Sequence, residues 1–262
     1  MQSWDEIRLW RRERRASLIA RRQAIPQDER RRSQALILGL VEQHFPDLAN
    51  ALLGFYWPFR SEIGPHPLVR RLIERGARAA LPVVVEKGRP LEFWAWHPGT
   101  RLRRGVWNIP IPTERQEVRP AALLVPLVGF DRLSYRLGYG GGYYDRTLAA
   151  TDPKPLTIGV GYDLGQLETI YPQPHDIPMD AIVTEAGVAS FGSDSPPHGA
   201  RPQGEPFGTM DEDPNSRASY ASPPCFMHEL GPSYLGLTPN RGDRSADEAP
   251  SDPGTSNKTN AT

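Results

Sequence analysis

The stretch AALLVPLVGFDRLSYRLGYGGGYYDRTLAA, residues 121–150, decides the fold. It opens with a continuous apolar run, AALLVPL (121–127), the pattern of a central strand covered on both faces. It closes with a helix expected from about Tyr143 to Ala150. Between them, residues 136–145 hold one arginine, four glycines, three tyrosines and one aspartate. In open α/β sheets, ligands collect at the carboxyl ends of the strands, where such a loop begins. Gly138, Gly140, Gly141 and Gly142 let the main chain come close to a ligand and adopt positive φ. Backbone N–H groups entering a helix favour an anion. Arg136 suits a bidentate phosphate contact, and Asp145 stands where it could hold a divalent cation beside that phosphate. No Gly-Lys-Ser/Thr follows, and Gly-Tyr-Gly-Gly-Gly is not a full G-x-G-x-x-G. On the glycines alone a plain flexible turn competes; the arginine, the strand and the aspartate favour a phosphate site.

Outward from this unit, helical and extended segments alternate. Residues 3–23 read as a helix, with Ser3 and Glu6 spaced as a capping box. Arg8, Arg11, Arg12 and Arg15 fall on one face at i, i+3, i+4 and i+7; Ile7, Trp10 and Leu18 lie on an adjacent face suited to packing on the body. Further helices are expected over 28–44 and 65–75, and strands over 51–57, 79–85, 91–97, 156–162 and 180–184. The pattern predicts an α/β fold: a three-layer sandwich with a mostly parallel, Rossmann-like central sheet.

Composition sets the boundary. Residues 190–262 contain 11 Pro, 8 Gly and 10 Ser, with only 6 Leu, Ile, Val or Phe. Such a segment cannot bury enough apolar surface to offset its ordering entropy, so a folded unit over 1–189 and a disordered acidic tail over 190–262 are expected. The zero formal charge divides unevenly. The first 189 residues hold 26 Lys and Arg against 21 Asp and Glu, a net +5; the tail holds 5 against 10, a net −5. A basic body suits an anionic ligand. The single cysteine, Cys225, allows no internal disulfide, and no run has transmembrane or signal-peptide character, so a cytoplasmic location is expected. Within the tail, residues 220–237 gather aromatics with Cys225 and His228, a patch that could dock a partner.

Four motifs then occur in order: GFYWPFRSEI (54–63), VWNIPIP (106–112), PLVGFDRLSYRLGYGGGYYDRTL (126–148) and HDIPMDAIVTE (175–185). Together they resemble the signature of the 5-formyltetrahydrofolate cyclo-ligase family. The resemblance implies ATP- and Mg²⁺-dependent conversion of 5-formyltetrahydrofolate to 5,10-methenyltetrahydrofolate. It implies that Arg136, Leu137, Gly138, Tyr139, Gly140, Gly141, Gly142, Tyr143 and Tyr144 wrap the ATP phosphates, and that Asp145 and Asp180 hold Mg²⁺. Glu62 is implied to hydrogen-bond the pterin, Trp57 to line the folate pocket and Trp107 to pack near the reacting centre; Glu62, Arg136 and Tyr144 are the implied catalytic set. Arg11 and Arg15 of the first helix are implied to approach the nucleotide. Here the sequence departs from the family's Lys-x-x-Leu-Arg, with Arg11 in place of the lysine and Arg14 in place of the leucine.

Each position also has a plainer reading. Glu62 alone reads as a solvated loop acid, Trp57 and Trp107 as core or rim aromatics, Asp180 as a turn or capping residue, and His175-Asp176 as a turn with no assigned role. The arginine face reads as solvated or as a nucleic-acid patch, yet no nucleic-acid motif accompanies it, and neither nucleic acid nor membrane is an expected partner. Two other functions remain: a non-catalytic nucleotide- or RNA-binding protein on the same scaffold, and an ATP-using enzyme with another anionic substrate.

Overall fold

The computed structural model describes residues 3–190. Helix α1 (Trp4–Ala24) begins as its sequence predicts. Ser3 Oγ accepts from the Glu6 N–H at 3.3 Å, and Glu6 Oε2 accepts from the Ser3 N–H at 2.6 Å. Helix α2 (Gln27–His44) and strand β1 (Leu52–Gly54) follow, then α3 (His66–Glu74), β2 (Arg78–Val83) and β3 (Glu92–Trp96). A hairpin of β4 (Leu102–Arg104) and β5 (Pro110–Pro112) precedes β6 (Glu117–Val118). The deciding stretch supplies β7 (Ala122–Pro126), β8 (Gly129–Asp131), β9 (Arg136–Leu137) and α4 (Tyr143–Ala149). The described chain ends with β10 (Leu156–Val160), β11 (Gln166–Leu167), β12 (Ala181–Thr184) and β13 (Gly187–Ser190).

The main sheet has eight strands in the order β13-β12-β10-β7-β1-β2-β3-β6. The five from β12 to β2 are mutually parallel, and antiparallel strands close both edges. This is the expected α/β architecture with a mostly parallel sheet, and β7 is internal to it. Its side chains alternate between two cores. Ala122 and Leu124 join Ile37 and Val41 of α2 and Leu68 and Leu72 of α3 on one face. Leu123 and Val125 join Leu148 of α4, Phe130 and Met179 on the other. Gly54 permits this closeness, since a Cβ there would lie 2.4 Å from Leu123 Cδ2 and 2.8 Å from Phe93 Cε1. The packing extends to α1, whose Leu18 and Ile19 bury against Val128, Leu137 and Ile170.

Three differences from the sequence reading have physical causes. The strand expected over 51–57 stops at Gly54, because the chain leaves the sheet there and reaches left-handed φ at Arg60 (49°) and Ser61 (61°). Strands β4, β5, β6, β8, β9, β11 and β13 span only two to four residues, too short for a period of two to register. The arginine face of α1 divides: Arg8 and Arg12 are exposed, whereas Arg11, Arg15 and Arg22 are buried alongside Leu18 and Ile19. Among the described residues, no helix is long and apolar enough to cross a membrane. The readings of residues 191–262 as a tail, and of 220–237 as a docking patch, lie outside the described residues.

Candidate active site

The β8–β9 hairpin carries the chain from the carboxyl end of β7 to the glycine loop. There the glycines make room for guanidinium groups. A Cβ on Gly138 would lie 2.4 Å from Arg136 Nη1, one on Gly140 3.3 Å from Arg15 Cζ, and one on Gly142 2.8 Å from Arg146 Nη1. Gly140 (φ 85°) and Gly142 (φ 60°) also require the left-handed region. Arg15 Nε donates to Gly138 O at 2.8 Å and Arg146 Nη2 to Gly141 O at 2.5 Å, so both side chains set the course of the loop. Arg136 Nη2 meets Asp145 Oδ2 at 2.9 Å, with side-chain exposures of 7% and 14%. The Arg136 and Arg146 guanidiniums lie over the Tyr144 and Tyr143 rings, at 5.1 and 5.0 Å. Arg136 Nε and the Tyr144 hydroxyl are buried here with no hydrogen-bond partner among the described residues. Burial pushes the Tyr144 hydroxyl pKa well up, against the opposing pull of Arg136. Unsatisfied donors beside three cations fit a bound anion with several acceptor oxygens.

Glu62 sits on the loop after β1. Helix α2 pins that loop: Arg30 Nη1 donates to Ser61 Oγ at 2.6 Å, and Gln34 Oε1 accepts from the Gly64 N–H at 2.8 Å. The Glu62 side chain is only 4% exposed. Its Oε2 accepts from the Phe59 N–H at 2.8 Å and its Oε1 from the Tyr139 hydroxyl at 2.9 Å. Tyr139 belongs to the glycine loop, so the structure brings these two sequence motifs into direct contact. Burial raises the Glu62 carboxyl above its ordinary range, with Arg22, the Phe59 N–H and Tyr139 opposing.

The two tryptophans reach different neighbours. Trp107 stands edge-on to Tyr143, ring centroids 5.6 Å apart, which places the Trp-Asn-Ile-Pro motif against the glycine loop. Both Trp107 (φ 56°) and Asn108 (φ 61°) hold left-handed backbone, as do Arg60 and Ser61 just before Glu62. Strain of this kind concentrates where a site fixes its geometry. Trp57 packs edge-on to His66 at 4.5 Å and against the α2–α3 core.

Arg11 does not reach the loop. Its Nε donates to Ile170 O (3.0 Å), and its Nη2 to Tyr171 O (2.9 Å) and Asp176 Oδ2 (2.5 Å). The next residue, Ile177, donates its N–H to Asp145 Oδ1 at 3.3 Å, so the clamp supports Asp145 from behind. Asp180 stands just before β12 and accepts from the Thr157 N–H and hydroxyl, each at 2.7 Å, and from Lys154 Nζ at 3.1 Å. Burial opposes its ionisation, but these bonds prevail and hold its carboxyl below the usual range. Asp145 and Asp180 share no partner, and no cluster of three metal-ligating side chains occurs among the described residues.

The model of the 5-formyltetrahydrofolate cyclo-ligase family matches residues 7–185, a range containing all four sequence motifs. The chain belongs to the 5-formyltetrahydrofolate cyclo-ligase family. The 5-formyltetrahydrofolate cyclo-ligase of Mycolicibacterium smegmatis is 31% identical over 178 residues, covering 65% of this chain and 91% of that one. Its Escherichia coli counterpart is 34% identical over 137 residues, 50% of this chain and 75% of that one. The solved 5,10-methenyltetrahydrofolate synthetase of Aquifex aeolicus matches with a TM-score of 0.63 at 27% identity, covering 71% of this chain and 95% of that one. A synthetase from Mycoplasma pneumoniae, 22% identical with a TM-score of 0.55, shares the fold. As a cyclo-ligase family member, the chain is an enzyme of the ligase class in folate one-carbon metabolism.

Two residues of the candidate site escaped the sequence reading. Arg22 contacts Tyr139 and nears Glu62; its signal was present, since it lies seven residues after Arg15 on the same helical stripe. Arg146 follows Gly142 by four residues, the spacing of neighbours on one helix face.

Proposed function

We propose that this chain converts 5-formyltetrahydrofolate to 5,10-methenyltetrahydrofolate, with ATP as co-substrate and Mg²⁺. The formyl oxygen takes the γ-phosphoryl group and ADP leaves; N10 then attacks the formyl carbon and gives up its proton, the ring closes and phosphate leaves. Phosphoryl transfer of this kind depends on positioning and charge neutralisation rather than on a protein nucleophile. One observation carries the reading: Arg15, Arg136 and Arg146 surround the glycine loop, and that loop touches the buried Glu62 through Tyr139.

In this reading the three arginines, the unsatisfied Arg136 Nε and the Tyr144 hydroxyl receive the triphosphate. Glu62, an acceptor at both oxygens, takes N–H donors of the pterin, with Trp57 and Trp107 as apolar walls. When bound, Mg²⁺ would supply further neutralisation of phosphate charge, and Asp145 and Asp180 are the residues that would hold it. Magnesium sites use one or two carboxylates completed by phosphate oxygens and water, so two aspartates suffice. Their present partners, Arg136 at Asp145 and Lys154 at Asp180, are the cations that Mg²⁺ would replace. Arg11 acts by holding the segment that supports Asp145. Of the arginine face on which the RNA-binding alternative rests, Arg11 and Arg15 are buried on the body and Arg8 and Arg12 are exposed, which supports the enzymatic reading.

The test is the rise in near-ultraviolet absorbance as the methenyl product forms, followed with and without ATP and Mg²⁺. Glu62→Gln and Asp145→Asn are each expected to reduce the rate by roughly a hundredfold or more while the far-ultraviolet circular dichroism stays unchanged. Full activity in both variants would remove the site assignment.

A further inference from the structure

Arg22 takes no part in the phosphate cluster, yet it is the most deeply buried arginine of α1, at 3% exposed. A buried cation is retained only where its donors are used. Three of its five are visible: Nε to Arg60 O at 3.1 Å, Nη1 to Leu127 O at 3.0 Å and Nη2 to the Tyr139 hydroxyl at 2.7 Å. Leu127 is where the chain leaves β7, Arg60 is in the strained turn before Glu62, and Tyr139 is in the glycine loop. One guanidinium therefore ties together the three segments that meet at the candidate site.

The polarity of the network follows from its donors. Arginine has no acceptor, so the Tyr139 oxygen accepts from Arg22 and turns its own proton towards Glu62 Oε1, 2.9 Å away. Arg22 Nη2 is 3.9 Å from the same oxygen, near enough for charge attraction but beyond a hydrogen bond. The Tyr139 ring also lies edge-on to Phe59 at 5.9 Å, and the Phe59 N–H holds the other Glu62 oxygen. One aromatic side chain thus reaches both oxygens, one through its hydroxyl and the other through Phe59. Its main chain lies between Gly138, whose carbonyl accepts from Arg15, and the left-handed Gly140.

We infer that Arg22 and the Tyr139 hydroxyl form a buried strut that transmits occupancy of the glycine loop to Glu62, so that nucleotide and folate bind with positive cooperativity. The inference rests on the proposed cyclo-ligase reaction and adds Arg22 to it as a positioning residue, acting through Tyr139 without touching either substrate. A nucleotide that fixes the loop fixes the ring, and a fixed ring holds the carboxylate in the orientation that the pterin needs. By linkage, folate must tighten nucleotide binding by the same factor.

The test titrates 5-formyltetrahydrofolate into the full chain, alone and with Mg²⁺ and the β,γ-methylene analogue of ATP. The analogue is expected to lower the wild-type Kd by about fivefold or more, the lower end of ordinary coupling between sites. Tyr139→Phe keeps the ring and deletes the hydroxyl; it is expected to bind both ligands with a ratio near one. Arg22→Lys keeps the charge but not the three-way reach; it is expected to lose most of the ratio and to lower kcat more than it raises KM. Should Tyr139→Phe fail to fold, amide hydrogen exchange of the wild type decides, because the analogue alone must slow exchange at Phe59. Undiminished coupling in folded Tyr139→Phe, or a wild type that turns over substrate with no coupling, overturns the strut alone. A wild type that neither binds nor converts 5-formyltetrahydrofolate overturns the proposed reaction, and the strut with it.

Discussion

Glu62 carries an ionisable carboxyl into a place that water barely reaches, and its charge is the quantity the site must manage. Burial raises its pKa above the ordinary 4.5, and Arg22 is the strongest of the groups opposing that rise. Among the described residues, Arg60, Tyr56, Tyr139, Tyr144 and Tyr162 also interact with it. The sign follows. The folded state takes up this proton more readily than the unfolded one, so the contribution to stability is full below pH 4.5 and is lost as pH rises through the folded value. In the proposed reaction activity runs the other way, since only the carboxylate accepts at both oxygens. The acidic limb of kcat/KM is therefore expected above the ordinary carboxylate range, and Arg22→Met is expected to move it to still higher pH. That substitution breaks a buried pair and should also cost about 3–5 kcal/mol, read as a lower Tm. An unmoved limb would mean that Arg22 does not govern Glu62. None of this is legible from Glu62 in the sequence, where a lone loop acid reads as solvated; it depends on Arg22 and Tyr139, 40 and 77 positions away.

At the scale of elements, the glycine loop was legible because its signal is local. A β-strand, a glycine cluster, Arg136 and Asp145 lie within one 30-residue window, and the structure keeps them together. The face of α1 was half legible. Its period identified the stripe, but not that arginines would bury within it, because many of their partners are backbone carbonyls, at Gly138, Ile170, Tyr171 and Leu127. Backbone acceptors leave no trace in residue identity. The contact between loop glycines and guanidiniums leads to a separable prediction. Gly138 does not hold positive φ, and the place of its missing Cβ is taken by the far end of the Arg136 side chain rather than by main chain. Gly138→Ala should then leave Tm within about 2 °C while raising the KM for ATP roughly tenfold, the loss of one charge-assisted contact. Gly54→Ala is its opposite. A Cβ there meets Leu123 and Phe93 in the packed core, so a cost of about 1–3 kcal/mol should appear in Tm with the KM for ATP unchanged. Equal effects of the two substitutions on both readouts would show that loop and core do not respond separately.

For the whole molecule, the question is what the first 190 residues accomplish by themselves. Every buried hydrophobic cluster among the described residues is built from side chains between Leu18 and Val188. The family match, residues 7–185, and all the candidate site residues lie within the described residues, 3–190. The proposed division is therefore a complete catalytic unit over 1–189 followed by a segment the reaction does not need. A chain ending after Ser190 is expected to keep its kcat/KM within about twofold at moderate salt, where charges more than about 10 Å apart are largely screened. It should not behave identically at low salt. Removing residues 191–262 deletes 10 acidic and 5 basic side chains and takes the formal charge from zero to +5. Both proposed substrates are anions, so the truncated enzyme should capture them faster when screening is weak, and its advantage should disappear as salt is added. Stopped-flow binding of the ATP analogue across a salt series measures this directly. Steering by net charge predicts two lines that converge at high salt; a truncated chain that loses turnover at every salt concentration would instead place part of the site beyond Ser190.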